Sequence, residues 1–95
     1  MPKKENLSAL LPNKYYNLQA TLKYTHENNG KITAIIEQDN IQKKIMLPHI
    51  NFPLQLGASY NFDKCFYSKN GWIKLNQSDN MKLIEDGSAQ YIELN

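Results

Sequence analysis

Hydrophobic and polar residues alternate along most of this chain. The longest alternating run, "KYYNLQATLKYTH" (14–26), places its apolar residues on one parity: Tyr16, Leu18, Ala20, Leu22 and Tyr24. Successive side chains of a β-strand point to opposite faces of a sheet, so this period of two predicts a long strand with one buried face. The same alternation predicts four more strands, at 31–37, 41–47, 59–68 and 72–77.

Asparagine and glycine clusters separate the predicted strands. The first cluster, "NNG" (28–30), predicts a three-residue hairpin loop with its glycine in the left-handed region. With that loop, Leu22 lies opposite Ile36. Tyr24 lies opposite Ala34, so the apolar residues of both strands share one face.

The pair "NG" (70–71) is the strongest two-residue hairpin signal in the chain. Cross-strand partners share a face of a sheet, so a two-residue loop sorts the residues on either side of it. One set points to the core: Phe66, Ser68, Ile73 and Leu75. The other set lies together on the outer face: Tyr67, Lys69, Trp72 and Lys74.

The order of these elements predicts an all-β fold. Three consecutive hairpin-linked strands, a crossover and a final hairpin describe a five-stranded Greek-key barrel of the OB-fold type, with an SH3-like barrel as the alternative. The crossover, "PHINFPLQLG" (48–57), contains Pro48 and Pro53, which argue against a regular long helix. The predicted barrel spans residues 14–77.

Two segments flank the predicted barrel. Residues 1–13 form an N-terminal extension, in which a short helix is predicted around Leu7, Leu10 and Leu11. Residues 78–95 form an acidic C-terminal hairpin or tail. The apolar residues of this tail are candidates for contact with a protein partner: Ile84, Tyr91, Ile92 and Leu94.

Charge is distributed unevenly along the chain, whose 95 residues carry a net charge of +2. Residues 1–78 contain ten lysines and five acidic residues, a balance of +5. Residues 79–95 contain one lysine and four acidic residues, a balance of −3. Because local fields govern contacts, a basic body with an acidic end is more informative than the total. The chain has no arginine, and so lacks the fork that reads guanine or grips a phosphate in fixed geometry.

Rings and lysines on one outer face suit a single-stranded nucleic acid. A ring stacks on any base, for roughly 1–3 kcal/mol per base, and lysine neutralises phosphate. The candidate nucleic-acid-binding residues are Lys23, Lys31, Lys44, Tyr67, Lys69, Trp72 and Lys74. Glu37 on the same face counts against this interpretation, as does the lack of further outward rings on the second and third strands. The alternative is a solvated sheet face, with Trp72 half-buried under a terminal segment.

The sequence contains no recognisable catalytic or metal-binding pattern. His26 and His49 lack a cysteine or carboxylate at metal-ligand spacing, and no nucleophile or phosphate-loop motif is present. We therefore predict that the protein is not an enzyme and needs no metal or cofactor. The only cysteine, Cys65, fits a reducing compartment. Since the start of the sequence resembles neither a signal peptide nor a membrane span, we predict a cytoplasmic protein.

Two stretches resemble nucleic-acid-binding OB domains. "PLQLGASYNF" (53–62) followed by "NGWIKL" (70–75) is similar to the last third of such domains, within a resemblance that covers residues 15–77. The matching positions are Leu54, Gly57, Tyr60 and Phe62, then Gly71 to Leu75. The lysine-, asparagine- and isoleucine-rich composition also resembles small replication proteins of Gram-positive mobile elements, such as the "middle protein" encoded beside the A-family polymerase of staphylococcal cassette chromosomes.

This resemblance implies a subunit that helps a polymerase begin or hold DNA. Together with the ring-and-lysine face, it predicts a non-enzymatic accessory protein that contacts single-stranded DNA weakly and assists a DNA polymerase or another replication protein. The alternative is a protein-interaction module, such as a polymerase subunit or a host-protein inhibitor, that does not bind nucleic acid. The exposed rings would then be contact points for a protein. A barrel that binds a small ligand or an oligosaccharide is a third interpretation, although lysines match neutral sugars poorly.

Overall fold

A computed structural model describes residues 5–84 of the chain. Within this range the regular structure consists of six strands and two short 3₁₀ turns. The strands are β1 (Lys14–Asn28), β2 (Lys31–Gln38), β3 (Ile41–Leu47), β4 (Ser59–Tyr67), β5 (Trp72–Lys74) and β6 (Met81–Leu83), and the 3₁₀ turns are Leu7–Ala9 and Ser78–Asn80. No helix among residues 5–84 is long and apolar enough to cross a membrane.

The first five strands close into a barrel. With 15 residues, β1 is long enough to pair with β4 through its first half and with β2 through its second half. The ring runs β1–β2–β3–β5–β4 and returns to β1, and within it β3 and β5 are parallel. This arrangement is an OB-fold, so the predicted fold class is confirmed over the SH3-like alternative.

Apolar side chains from every strand fill the barrel. The buried residues are Leu7, Leu18, Ala20, Leu22, Ile32, Ala34, Ile36, Ile45, Leu47, Tyr60, Phe62, Cys65, Ile73, Leu75 and Met81. The crossover between β3 and β4 contains no helix, as Pro48 and Pro53 predict. Three of its apolar side chains, Ile50, Phe52 and Leu54, pack against the core instead.

The β1–β2 hairpin differs from the predicted register. Its loop has two residues, "NG" (29–30), both with positive φ (56° and 78°), as a type I′ turn requires. Leu22 pairs with Ile36, as predicted, but a bulge then shifts the register of β1 by one residue. Tyr24 pairs with Ile35 as a result, and its ring points outward with 52% of its surface exposed.

A second bulge, at Lys64, reverses the alternation of β4. At this point two residues of β4 face a single residue of β1, Asn17. The Lys64 backbone has φ +58°, and its N–H donates to the Asn17 Oδ1 (3.1 Å). Because side chains alternate along a strand, the extra residue turns Cys65 into the core and Phe66 outward.

The β4–β5 loop has three residues, Lys69–Gly71, and the predicted two-residue loop is therefore wrong. The Ser68 N–H donates to the Trp72 carbonyl (2.9 Å), and Tyr67 pairs with Ile73. The final glycine has φ +91°, which fits the usual three-residue loop of a type I turn followed by a left-handed residue. Asn-Gly fills the last two positions of such a loop as readily as it forms a complete two-residue turn.

The bulge and the longer loop together exchange the faces of two neighbouring rings. Tyr67, predicted on the outer face, points inward and packs against the core. Phe66, predicted in the core, points outward opposite Lys74. Trp72 lies on the outer face, as predicted. The bulge and the longer loop each shift the alternation by one residue, and the two shifts cancel.

The segment before the barrel packs onto it. Its predicted helix is a single 3₁₀ turn that begins at Leu7, which is fully buried. Gln38 fixes this turn: its Oε1 accepts from the Leu7 N–H (3.1 Å), and its Nε2 donates to the Gln19 carbonyl (2.9 Å). Leu11, which the sequence pattern groups with Leu7, is 57% exposed.

The segment after the barrel adds a strand to it. β6 pairs with β4 on the side away from β1, with Leu83 opposite Tyr60. The next residue continues this pairing, since the Ile84 N–H donates to the Ser59 carbonyl (2.9 Å). The hairpin predicted around residues 86–87 lies outside the described residues.

Candidate nucleic-acid interface

Cross-strand pairing joins outward side chains of all five barrel strands into one outer band, with rings from β1, β4 and β5 and lysines from β3 and β5. At its centre Lys44 of β3 lies beside Trp72 of β5. Phe66 of β4 extends the surface on one side, and Tyr24 of β1 extends it on the other. Because paired residues share a face, the surface is continuous. We call it the aromatic belt, and its members are Tyr15, Phe66, Lys74, Trp72, Met46, Lys44, Ile35 and Tyr24.

Trp72 is the half-buried centre of the aromatic belt. The Lys44 Nζ lies over its ring, 4.8 Å from the centroid. The electron-rich face of an indole attracts an ammonium group, so this contact holds the lysine in place while its charge stays exposed to solvent. A cation for phosphate and a ring for a base therefore lie side by side.

An open cleft of about 510 Å³ lies beside Trp72. Its lining combines rings with polar side chains: Thr33, Met46, Phe66, Ser68, Asn70, Trp72 and Lys74. Lys44 does not line this cleft, so the indole presents a side to it that the lysine leaves open. Concave sites with apolar walls and a few convergent polar groups are the usual form of a small-ligand or base pocket.

Tyr15 and Phe66 form a second aromatic platform on the same surface. Their ring centroids are 5.0 Å apart at an interplanar angle of 55°, and Tyr15 is 65% exposed. Tilted pairs at this distance are attractive, which fixes the two rings relative to each other. Phe66 also lines the cleft, so this platform adjoins the Trp72 site.

The predicted lysines occupy different positions around this surface. Lys44 and Lys74 lie on the aromatic belt, and both are exposed. Lys69 lies in the exposed β4–β5 loop beside the cleft, and Lys31 follows the loop of the β1–β2 hairpin. Lys23 lies at the bulge of β1.

Lys23 is paired with an acid on the outer face. Its Nζ lies 3.6 Å from the Glu37 carboxylate, with both side chains partly exposed. The acid that counted against a nucleic-acid surface is therefore neutralised within the protein. The same contact leaves Lys23 less available to a phosphate than Lys44 or Lys74.

Tyr67 does not belong to the aromatic belt, which corrects its predicted position. Its half-buried ring packs against the core, and the Lys43 Nζ lies 5.5 Å from the ring centroid and 3.4 Å from the hydroxyl. Lys43 lies on the inward-facing side of β3, two residues before the buried Ile45. The ring and this lysine close one end of the barrel together.

Sequence reasoning missed five residues of the aromatic belt and its cleft: Tyr15, Tyr24, Phe66, Ser68 and Asn70. Two of them, Phe66 and Ser68, were predicted to point to the core, but both line the cleft. The Asn-Gly pair at 29–30 is a signal for the two-residue loop that turns Tyr24 outward. No comparable signal marks the bulge at Lys64, because lysine has no preference for a left-handed backbone. The predicted alternation of β1 places Tyr15 on the outer face. Its ring forms an aromatic platform only because the bulge turns Phe66 outward beside it.

The candidate partner-binding residues fall largely beyond the structure. Ile84 is half-buried at the end of β6, and Tyr91, Ile92 and Leu94 lie outside the described residues. Next to β6 an apolar groove of about 410 Å³ separates the crossover from the added strand. Its lining includes Phe52, Pro53, Met81 and Leu83, and Leu83 is 44% exposed.

Two observations on the described residues concern metal binding and the reactivity of the single cysteine. Among residues 5–84 no three His, Cys, Asp or Glu side chains are grouped to hold a metal ion. Burial, and to a smaller extent the nearby Asp63 carboxylate, raise the pKa of the Cys65 thiol to about 12. A thiol in that state is protonated at neutral pH and is a poor nucleophile.

No protein-family model matches the chain, and a search of curated proteins finds no significant match. Solved structures share its fold. The OB domain of a Methanosarcina mazei protein has a TM-score of 0.74 at 14% identity and covers 90% of this chain and 87% of its own. The second OB-fold domain of replication protein A from Methanococcus maripaludis has a TM-score of 0.66 at 13% identity, covering 90% and 98%. Schizosaccharomyces pombe Pot1pC, bound to single-stranded DNA, has a TM-score of 0.72 at 9% identity, covering 97% and 94%.

Proposed function

We propose that this protein is a non-enzymatic OB-fold module that binds single-stranded nucleic acid, in the first place DNA, through the aromatic belt. The observation that carries the proposal is the arrangement around Trp72. Lys44 lies on its ring, an open cleft lies beside it, and Lys74 and Phe66 line that cleft. Stacking on the ring suits a base, and the two lysines suit the phosphates on either side of it.

The dimensions of the aromatic belt suit a single strand of a few nucleotides. From Phe66 on β4 to Tyr24 on β1 it crosses five neighbouring strands, or roughly 19 Å at about 4.8 Å per step. Unpaired bases expose their flat faces to such rings, whereas the bases of a duplex are stacked on each other. Because the chain has no arginine, the surface contacts phosphates only through the point charges of lysines. This favours weak binding.

Two of the solved structures support this proposal. Pot1pC was determined bound to single-stranded DNA, and the Methanococcus maripaludis domain comes from a replication protein. The resemblance in fold makes the same class of ligand a reasonable first choice for this chain. The residues of the aromatic belt supply the chemical reason for it.

A titration of the intrinsic fluorescence of Trp72 with oligo-dT tests the proposal. We expect quenching that saturates at micromolar strand, because the only tryptophan of the chain lies at the proposed site. The binding constant should fall with salt, with a slope of log K against log [salt] of about −2 to −3 if three or four lysines neutralise phosphates. Unchanged emission at high micromolar strand, at low salt, would exclude direct binding through this surface.

We further propose that the module works with a replication protein, such as the DNA polymerase of a mobile element. The composition of the chain supports this assignment, and the groove beside β6 offers an apolar surface for such a partner. Leu83, which lines this groove together with Phe52 and Pro53, is exposed. Exposed apolar residues grouped around a groove are typical of protein contact sites.

A protein-interaction module that never binds nucleic acid is the second candidate, and the same groove favours it. Leu83→Lys, which charges the groove without touching the aromatic belt, separates the two functions. If nucleic-acid binding is the main function, this variant binds oligo-dT like the wild type. If both the wild type and Leu83→Lys fail to bind oligo-dT, while only the wild type co-purifies with a replication protein, the second candidate is correct.

A further inference from the structure

The Asn70 side chain is held in one orientation at the edge of the cleft. Its Oδ1 accepts a hydrogen bond from the Trp72 backbone N–H (3.2 Å), and the Ser68 hydroxyl shares its single proton between this Oδ1 and the Trp72 carbonyl (2.9 Å). A backbone N–H can only donate, so the atom that faces it is the amide oxygen and not the nitrogen. The Asn70 Nδ2 has no hydrogen-bond partner within residues 5–84, and its two N–H groups remain available to a ligand.

The other polar groups that line the cleft add mainly donors. Lys74 contributes an ammonium group and Trp72 an indole N–H, neither of which accepts a hydrogen bond. The hydroxyl oxygens of Thr33 and Ser68 are the possible acceptors, although the Thr33 proton is directed at the His26 carbonyl (3.5 Å) and the Ser68 proton at Asn70 and the Trp72 carbonyl. A base that enters the cleft therefore meets more donors than acceptors.

We propose that Asn70 makes the cleft selective for bases with a carbonyl group on the edge farthest from the sugar, so that uracil or thymine binds in preference to cytosine. The inference rests on the proposed function. A base that stacks on Trp72, with its phosphate near the exposed lysines, enters the cleft with that edge first. Uracil then presents its 4-carbonyl to the Asn70 Nδ2, whereas cytosine presents a 4-amino group, and two donors cannot bond to each other.

Binding of short oligo-dU and oligo-dC of equal length, at neutral pH and fixed ionic strength, tests the selectivity. Both oligomers lack the 5-methyl group and have the same backbone, so they differ only in the polar edge that the cleft would contact. We expect the wild type to bind oligo-dU roughly threefold to tenfold more tightly, the ratio that one net hydrogen bond supplies.

Asn70→Asp tests the assignment to this side chain. The variant keeps an oxygen for the Trp72 N–H and replaces the Nδ2 donor by an acceptor of nearly the same shape. A carboxylate accepts from the 4-amino group of cytosine, so the preference should reverse toward oligo-dC. Asn70→Ala, which removes the amide without adding a charge, should bring the ratio of the two affinities close to one.

Gln42→Glu is the matched control for charge. It adds the same charge to the outer face of β3, outside the cleft, and should weaken binding of both oligomers by the same factor. Equal binding of the two oligomers by the wild type overturns the inference and leaves the proposed function intact. A preference for oligo-dU that persists in both Asn70 variants also overturns it. Failure to bind either oligomer overturns the proposed function and the inference together.

Discussion

At the residue scale, the key feature is the exchange of two adjacent rings on β4. Phe66 contacts Tyr15 on the outside of the barrel, whereas Tyr67 packs inward and carries Lys43 on its face. Both rings have a lysine within reach, and both are half-buried, so neither composition nor exposure separates them. Only the parity of the strand decides which ring is available to a ligand.

Substituting each of these rings by leucine tests that assignment. Phe66→Leu should weaken oligo-dT binding by about 1 kcal/mol or more, because a stacking surface is lost. Tyr67→Leu should leave that affinity unchanged and lower the free energy of unfolding by about 1–3 kcal/mol, because it removes packing at the end of the barrel. Fluorescence titration and urea unfolding of both variants provide the comparison. The reverse pattern would show that Tyr67 faces outward.

Cys65 gives a prediction about pH. The folded state holds the thiol proton more tightly than the unfolded chain, since burial raises the pKa of this thiol from 9.0 to about 12. The stability associated with the protonated thiol is therefore present below pH 9.0 and is lost as the pH rises toward 12. The free energy of unfolding of the wild type should therefore fall relative to that of Cys65→Ala across this pH window. The fall is at most about 1.4 kcal/mol per pH unit. A constant difference in urea unfolding from neutral to alkaline pH would contradict this.

At the element scale, alternation and turn chemistry predicted all five barrel strands and their order. The period of two placed Leu18, Leu22 and Ile36 in the core, where they lie. The registers failed at the two hairpin loops, whose lengths were each wrong by one residue, and at the two bulges, because a bulge inserts a residue that the hydrophobic pattern does not predict. The error at Lys64 reversed the faces of Phe66 and Tyr67, and with them half of the predicted aromatic site. Trp72 and Lys74 were placed correctly because two shifts of one residue cancelled.

The bulge at Lys64 should respond to the backbone preference of its residue. Lys64→Gly should raise the free energy of unfolding by about 1 kcal/mol, because glycine adopts a φ of +58° without the steric cost that other residues incur. Lys64→Val should lower it, since β-branched residues are least tolerated there. Lys82→Val, at an exposed position of β6, is the matched control and should change little. Similar effects of valine at both sites would show that β4 has no bulge.

At the scale of the whole molecule, the OB barrel forms one folded unit with residues 5–13 before it and with β6 after it. Leu7 enters the core from a segment that the sequence pattern treats as an extension, and Gln38 fixes that segment through its amide. β6 covers the side of β4 that β1 leaves free. The aromatic belt is therefore presented by a small barrel that residues outside its five strands help to complete.

Removing the side chain of Leu7 tests the contribution of the first segment. Leu7→Ala should lower the free energy of unfolding by about 2–5 kcal/mol, the usual cost of emptying a fully buried leucine site. Leu11→Ala, four residues along the same segment and largely exposed, should cost much less. Urea unfolding of both variants measures the contrast. Equal and small effects would show that residues 5–13 are not part of the folded core.

The most direct test of the proposed interface is a map of backbone amide chemical shifts on titration with oligo-dT. The predicted result is a set of concentration-dependent shifts confined to the aromatic belt and the β4–β5 loop, with the largest at Phe66, Asn70 and Trp72 and with the indole N–H of Trp72 among them. Residues around the groove beside β6, such as Phe52 and Leu83, should not shift. Shifts centred on that groove, or no shifts at any strand concentration, would contradict nucleic-acid binding through the aromatic belt.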